Sequence, residues 1–382
     1  MKVGVLTFHR ASNYGTALQA YATIRTLQKC GVNAELIDYR PEYIERTLRI
    51  RRLREARSAK TVGSIVLNKA IYGRQIERKI ASFQNYIDEM PVSACVCKTL
   101  SDVQKTASQY DVIMSGSDQL WNEKITGRDM MYFFPFHHPW KISYASSFGT
   151  ETISEDRKNE ITPFLRDFEF ISVRESAAQK QIQQMLFDGN ENHLKLYRVV
   201  DPTLLLDRDE WALQRNVNIQ LPESGFILTY YMIETPVLRA ITDTLKKETG
   251  LPVVNIKPSK RQMILRQGIN MMWAGPREFL SCYAGAKYVV TNSFHGTAFA
   301  VNFGTPMYVA PLPVSMAGEV NSRLKDILDW YKISNRWIDS IKKVTQIDPG
   351  DVSLNLEPLK ERRKEESLNV LRKMLRRESG ES

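Results

Sequence analysis

The segment KYVVTNSFHGTAFAVNFGTPMYV, residues 287–309, reads as strand, turn, helix and strand. Tyr288-Val289-Val290 is an apolar, β-branched run, and Thr291 to Gly296 forms a tight polar turn. Thr297 to Phe303 reads as a short helix closed by Gly304, and Pro306 opens a second apolar run, Met307-Tyr308-Val309. In an open α/β sheet, ligands bind where such turns leave the carboxyl ends of strands. The start of the helix offers unpaired backbone N–H groups to an anion. His295 stands inside the turn, where an imidazole can give or take a proton near neutral pH. A histidine in a turn, considered alone, is more often a hydrogen-bonded structural residue.

The same alternation extends in both directions. Residues 2–8, KVGVLTF, read as a buried strand, followed by a turn from His9 to Gly15. Ala17, Leu18, Tyr21, Ile24 and Leu27 then fall at helical spacing up to Gly31. Residues 34–39 make a second strand, so the chain opens with a βαβ unit and a parallel sheet. The turn at Ser12–Gly15 lacks the G-x-G-x-x-G fingerprint, so a dinucleotide is not indicated. Ser12 or Asn13 reads equally well as a helix N-cap.

Asp111 to Met114 is a strand running into Ser115-Gly116-Ser117-Asp118-Gln119-Leu120-Trp121. Small residues and a carboxylate at a strand end suit close approach of a ligand, and a turn with an aspartate cap fits the same spacing. Arg174 ends the strand at Phe170–Val173, where it can grip a carboxylate or phosphate with two N–H groups, or simply pair with Glu175. Residues 214–224 read as a linker, and a fresh α/β run begins at Phe226. The strand Val253–Ile256 leads into Lys257, and Asn321-Ser322-Arg323 opens a later helix. Leu368, Leu371 and Leu375 mark one apolar face of a last helix.

These elements predict an α/β fold of two Rossmann-like domains facing across a cleft. An acceptor-side domain covers 1–213 and a donor-side domain covers 222–345, with a charged helical tail at 346–382. No internal repeat is present. Cys30, Cys95, Cys97 and Cys282 are too scattered for a disulfide framework or a zinc site. A reduced cytoplasmic setting is the expectation, with no signal peptide and no apolar run long enough to span a membrane. The net charge of +10 suits an anionic partner. Much of it is local, in an insertion from Arg46 to Lys60 that includes Arg49, Arg51, Arg52, Arg54 and Arg57, and in the tail. Both are expected either as solvated helix faces or as contacts with an anionic membrane surface. No nucleic-acid-binding signature is present.

Six segments taken together resemble the polysaccharide pyruvyl transferase family. They are NYGTALQAYA (13–22), VIMSGSDQLWN (112–122), SYASSFG (143–149), SVRE (172–175), VVDPTLLL (199–206) and YVVTNSFHGTAFAVNFGTP (288–306). The resemblance implies a fold like the glycosyltransferase B type. It implies transfer of the enolpyruvyl group of phosphoenolpyruvate onto two hydroxyls of a sugar, in a surface polysaccharide or its lipid-linked precursor, giving a pyruvate ketal and phosphate. No metal or organic cofactor is called for. The resemblance makes His295 the general acid and Asp118 a residue that orients or deprotonates the acceptor hydroxyl. Arg174, Gly296 and Thr297 then hold the donor anion. Asn13, Tyr14, Gly15, Ser117 and Trp121 are assigned to the acceptor. Many members carry an arginine two residues before the histidine, whereas this chain has Ser293, so Lys257, Lys260 or Arg323 is expected to supply the missing cation. Two other functions fit the same fold: a glycosyltransferase using a nucleotide sugar, and a non-catalytic glycan- or membrane-binding protein.

Overall fold

The structure is a computed structural model, and it describes residues 1–49, 59–186, 195–313, 321–350 and 356–376, with backbone only for 59–68. Arg51, Arg52, Arg54, Arg57 and the side chain of Lys60 lie outside the described residues, so the expected membrane contact of the insertion has no structural counterpart here.

Eleven strands fall into two all-parallel sheets among the described residues. The first comprises β1 (Lys2–Leu6), β2 (Asn33–Leu36), β3 (Val112–Ser115), β4 (Lys141–Ser146), β5 (Phe170–Val173) and β6 (Leu196–Arg198), in the order β2-β1-β3-β4-β5-β6. The second comprises β7 (Phe226–Tyr230), β8 (Val253–Ile256), β9 (Ile269–Met271), β10 (Ala286–Thr291) and β11 (Met307–Val309), in the order β11-β10-β7-β8-β9. Helices cover both faces, so β1, β3, β4, β5 and β7 are almost wholly buried and read as continuous apolar runs. The short edge strand β9 was not expected, because its Ile269-Asn270-Met271 carries too few apolar residues to be distinguished from a loop.

One hydrophobic core runs through both sheets. The helix Tyr14–Lys29, the helix Pro276–Gly285 and the helix Phe294–Phe303 meet in it. Tyr14 stacks on Phe279 at 4.7 Å and meets Tyr230 edge-on at 5.6 Å. Asn302 donates its amide N–H groups to the carbonyls of Thr203 and Leu206, which ties the second sheet's helix to the first domain.

The last helix, Glu357–Leu375, is not a free tail. Leu371, Met374 and Leu375 are buried in the shared core, Trp140 donates to the Met374 carbonyl, and the Ser367 hydroxyl accepts from the Val200 N–H. Along its outer face Arg362 and Arg363 pair with Glu366 and Arg372 with Glu365, while Lys364 reaches Asp207 of the first domain. The apolar stripe is buried because a docking surface is at hand.

Candidate active site in the interdomain cleft

The strand order sets where a ligand can sit. β1 and β3 are neighbours, but the chain leaves β1 toward β2 and leaves β3 toward β4, so the loops after Leu6 and Ser115 part. β7 and β10 part in the same way, toward β8 and β11. Each divergence opens a crevice at the carboxyl ends of the strands. Together they bound a cavity of about 470 Å³ lined by Asn13, Asp118, Tyr230, Ser293, His295 and Arg323, among others. That volume suits a small-molecule site.

His295 sits in the first turn of a helix that starts at Phe294, three residues earlier than its sequence suggests. Ser293 is the reason: its hydroxyl caps the helix by accepting from the Gly296 N–H at 3.3 Å. The Thr297 N–H is bonded to the Ser293 carbonyl at 2.9 Å. The two N–H groups expected to hold the donor, those of Gly296 and Thr297, are thus already occupied. The available donors are the N–H groups of Phe294 and His295, which have no partner among the described residues. Gly296 is needed for packing, since a Cβ there would come 2.3 Å from Thr291 Oγ1.

Two neighbours fix the imidazole. Gly15 lies against it so closely that a Cβ at that position would sit 2.0 Å from His295 Nδ1. Asp201 stands on its other side, with Oδ2 at 3.7 Å from Nε2. That distance is an ionic contact and too long for a hydrogen bond, so Nε2 has no hydrogen-bond partner. Gly15 thus sets how closely the helix Tyr14–Lys29 approaches the imidazole. Gly15→Ala is expected to push the ring out of place and lower kcat at least about 10-fold, since small misplacements of catalytic groups are expensive. The fold should survive, and steady-state phosphate release with a thermal melt checks both points.

Behind the histidine lies a buried charge network. Asp201 Oδ2 accepts from Arg174 Nη1 at 2.6 Å and from the Ser117 hydroxyl at 3.0 Å, while Oδ1 accepts from the Thr203 N–H and hydroxyl. Burial alone would raise the Asp201 carboxyl. His295, Arg174 and the Thr203 N–H outweigh burial and hold it well below the ordinary carboxylate range. Arg174 also donates Nε–H to Glu175 at 3.0 Å and stacks on the Phe294 ring at 4.3 Å. Burial weakens its charge, but Glu175, Asp201 and Asp118 more than restore it and push it above the usual guanidinium value.

Arg174 is 2% exposed and does not line the cavity. Three carboxylates, those of Glu175, Asp201 and Asp118, surround its guanidinium just behind the cavity wall. Ser117 is likewise buried, bonding Asp201 and the Ala145 carbonyl. Tyr14 is buried at the domain contact with its hydroxyl on the Ala274 carbonyl, and Trp121 is stacked on Phe133 with its indole N–H on the Tyr132 carbonyl. None of these three reaches an acceptor in this structure; their polar atoms are satisfied inside the core.

Asp118 and Asn13 do line the cavity. Asp118 adopts a left-handed backbone, φ 82°, and its Oδ2 accepts from the Thr16 hydroxyl at 2.8 Å. Asn13 caps the helix Tyr14–Lys29, so its cap role and its place at the site coexist. On the opposite wall Arg323 is 9% exposed, makes no hydrogen bond or ion pair among the described residues, and has a buried unpartnered Nε. Burial lowers it to about 10, and Arg174 adds to that while Glu175 and Asp118 oppose. Its helix, Asn321–Trp330, is anchored one turn later where Asp326 accepts from Arg198 Nη2 at 2.7 Å and the Ser176 hydroxyl at 2.6 Å. Lys257 does not line this cavity. Asp201 and Glu175 had no assigned role from sequence. Asp201 had a signal, a carboxylate between Val199-Val200 and Pro202 within apolar sequence, where a charge needs a buried partner.

The fold is similar to three solved structures, each at low identity. One is a protein of Listeria monocytogenes assigned as a UDP-N-acetylglucosamine 2-epimerase (TM-score 0.52, 10% identity, 97% of this chain and 91% of that chain covered). The second is the UDP-GlcNAc 2-epimerase of Methanocaldococcus jannaschii (0.50, 11%, 91% and 92%). The third is that of Neisseria meningitidis bound to UDP-GlcNAc (0.50, 9%, 98% and 100%). At these identities the likeness establishes the two-domain glycosyltransferase B fold and nothing of the chemistry. No curated protein shows a significant sequence match. The family model described as polysaccharide pyruvyl transferase matches residues 13–310, which include Asn13, the Asp118 turn, Arg174, Asp201 and His295, and the chain belongs to that family.

Proposed function

We propose that the protein transfers the enolpyruvyl group of phosphoenolpyruvate to a sugar bearing two suitably spaced hydroxyls, forming a pyruvate ketal and releasing phosphate. The observation that carries this reading is one cleft holding, among the described residues, an imidazole whose Nε2 has no hydrogen-bond partner and a buried guanidinium, Arg323, with no hydrogen bond or ion pair. An uncompensated buried cation calls for an anion, and phosphoenolpyruvate supplies two anionic groups beside a carbon that must be protonated.

His295 delivers a proton to the methylene carbon, which leaves C2 electron-poor. One sugar hydroxyl bonds to C2 and the C–O bond to phosphate breaks, while a second hydroxyl closes the ketal. Of the two hydroxyl protons, one restores the imidazole and the other leaves with phosphate. The Phe294 and His295 N–H groups and Arg323 hold the donor's anionic groups, and Asp118 takes or orients a hydroxyl proton from the opposite wall. Arg323 thereby fills the place of the arginine that Ser293 lacks.

Incubation with phosphoenolpyruvate and candidate glycan acceptors, with phosphate release as the readout, tests the reaction. Arg323→Gln is expected to raise KM for phosphoenolpyruvate about 10-fold or more, in line with loss of a charge-assisted contact. An unchanged KM removes Arg323 from the donor site. Hydrolysis of a nucleotide sugar with no phosphate release from phosphoenolpyruvate instead selects the glycosyltransferase reading.

A further inference from the structure

A series of cavities leads away from the catalytic one along the seam between the domains. Arg323 lines the catalytic cavity and also a second cavity of about 540 Å³. The segment 151–158 and the helix Ser176–Leu186 of the first domain form one wall of that second space. The helix Asn321–Trp330 forms the other. Lys158 and Gln184 in turn line a third cavity, of about 690 Å³, so the three abut at shared side chains. Each is the size of a small-molecule site. The seam is held in shape without a ligand, since Asp326 accepts from the Ser176 hydroxyl and from Arg198 across it. A preformed groove binds without the cost of ordering its walls.

Two buried polar groups of the second cavity lack a partner among the described residues. Gln181 is 6% exposed, and its Nε2 donates to the Glu151 carbonyl at 2.6 Å, but its Oε1 accepts no hydrogen bond. Arg323 Nε donates none. A ligand that supplies a donor to one and an acceptor to the other relieves both, and alcohol groups do either. A guanidinium has five N–H donors, enough to hold the donor anion and a hydroxyl together. The remaining lining fits the same chemistry. Carboxylates and cations are equal in number around the second cavity, and again around the third. Apolar side chains are few, Ile153 and Ala177 in one and Pro163 and Met185 in the other. Such walls give no net attraction to an anion and little surface to a lipid, but they alternate acceptors with donors.

We propose that this groove binds further units of the acceptor glycan, with the unit that receives the ketal at the Arg323 end. The inference rests on the transferase reading and narrows its acceptor to a chain of several uncharged sugar units, in place of a single sugar on a carrier. Gln181 is then a specificity residue: it meets a hydroxyl of the second unit and distinguishes a chain from a monosaccharide.

The probe is a set of size-fractionated oligosaccharides, monosaccharide to hexasaccharide, released by mild acid from the surface glycan of the producing cell. Calorimetric titration without phosphoenolpyruvate measures their affinity. In the wild-type protein it is expected to rise at least about 10-fold from monosaccharide to tetrasaccharide, and to change little with added salt. Gln181→Leu should weaken the tetrasaccharide about 5-fold, the scale of one lost hydrogen bond, and leave the monosaccharide unchanged. Gln184 is exposed, so Gln184→Trp should melt as the wild type does. Its indole, set where the second and third cavities abut, should end the rise at shorter chains. No saturable binding, equal affinity for monosaccharide and tetrasaccharide, a rise that survives both variants, or binding that collapses with salt overturns the inference. Failed phosphate release from phosphoenolpyruvate would leave this binding intact, and a transferase indifferent to chain length would overturn this inference alone.

Discussion

His295→Ala is expected to lower kcat for phosphate release by about 10²–10⁴-fold, the range for loss of a positioned general acid. KM for phosphoenolpyruvate should change far less, because the cations and N–H groups that hold the anion remain. The structure makes this a clean experiment. His295 is 9% exposed, its Nε2 carries no hydrogen bond, and it adjoins a cavity rather than filling core, so truncation removes little packing. Circular dichroism and a thermal melt should match the wild type within about 1 kcal/mol, the scale of a tolerated change beside a cavity. Activity within 3-fold of wild type would sink the assignment of His295 as the acid. A large loss of stability would instead return the histidine to the structural role that a turn position suggests by itself.

Asp201→Asn should carry the largest stability effect. Its Oδ2 is shared by Arg174, Ser117 and the edge of His295 at full burial, so removing the charge leaves Arg174 with Glu175 and the more distant Asp118. Breaking one partner out of a buried pair costs about 3–5 kcal/mol, readable as a lower denaturant midpoint. The acid limb gives a second signature. A carboxyl held below its unfolded value contributes stability that is present above the unfolded pKa, roughly 4, and is lost as pH falls toward the folded value. The asparagine variant should therefore lose less stability between pH 6 and pH 3 than the wild type, in relative terms, and an unchanged acid slope would show that Asp201 is not the group responsible. Arg174→Met combined with Asp201→Asn should cost less than the sum of the single changes, since no charge is then left buried without its partner.

Much of this molecule was legible before its coordinates. Alternating β-branched runs and helical spacing marked nine of the eleven described strands, and the histidine turn stood out as the place where a strand ends at a short helix. The resemblance carried by the six segments matched the family finding over residues 13–310. What was misread shares one cause. Trp121, Tyr14 and Ser117 stand in turns rich in small and polar residues, and the sequence does not say on which side of a strand end a side chain falls. Arg174 looked like a ligand because arginines at strand ends often are. Only the fold shows two further carboxylates, Asp201 and Asp118, joining the neighbouring Glu175 around it from separate segments.

The sequence by itself determined the local pattern: parallel sheets, two Rossmann-like halves, and a histidine at the carboxyl end of a strand. These follow from hydrophobic period and turn chemistry, which act over a few residues. Tertiary structure decided which cations are spent and which are free. Arg174 and Arg323 are both buried arginines near the same histidine, yet one is held by three carboxylates and the other makes no hydrogen bond or ion pair among the described residues. That difference depends on residues as far apart as Asp118 and Asp201, and on two crevices meeting across a domain interface. Charge compensation in a buried site is a property of distances in space, and chain order carries no record of them.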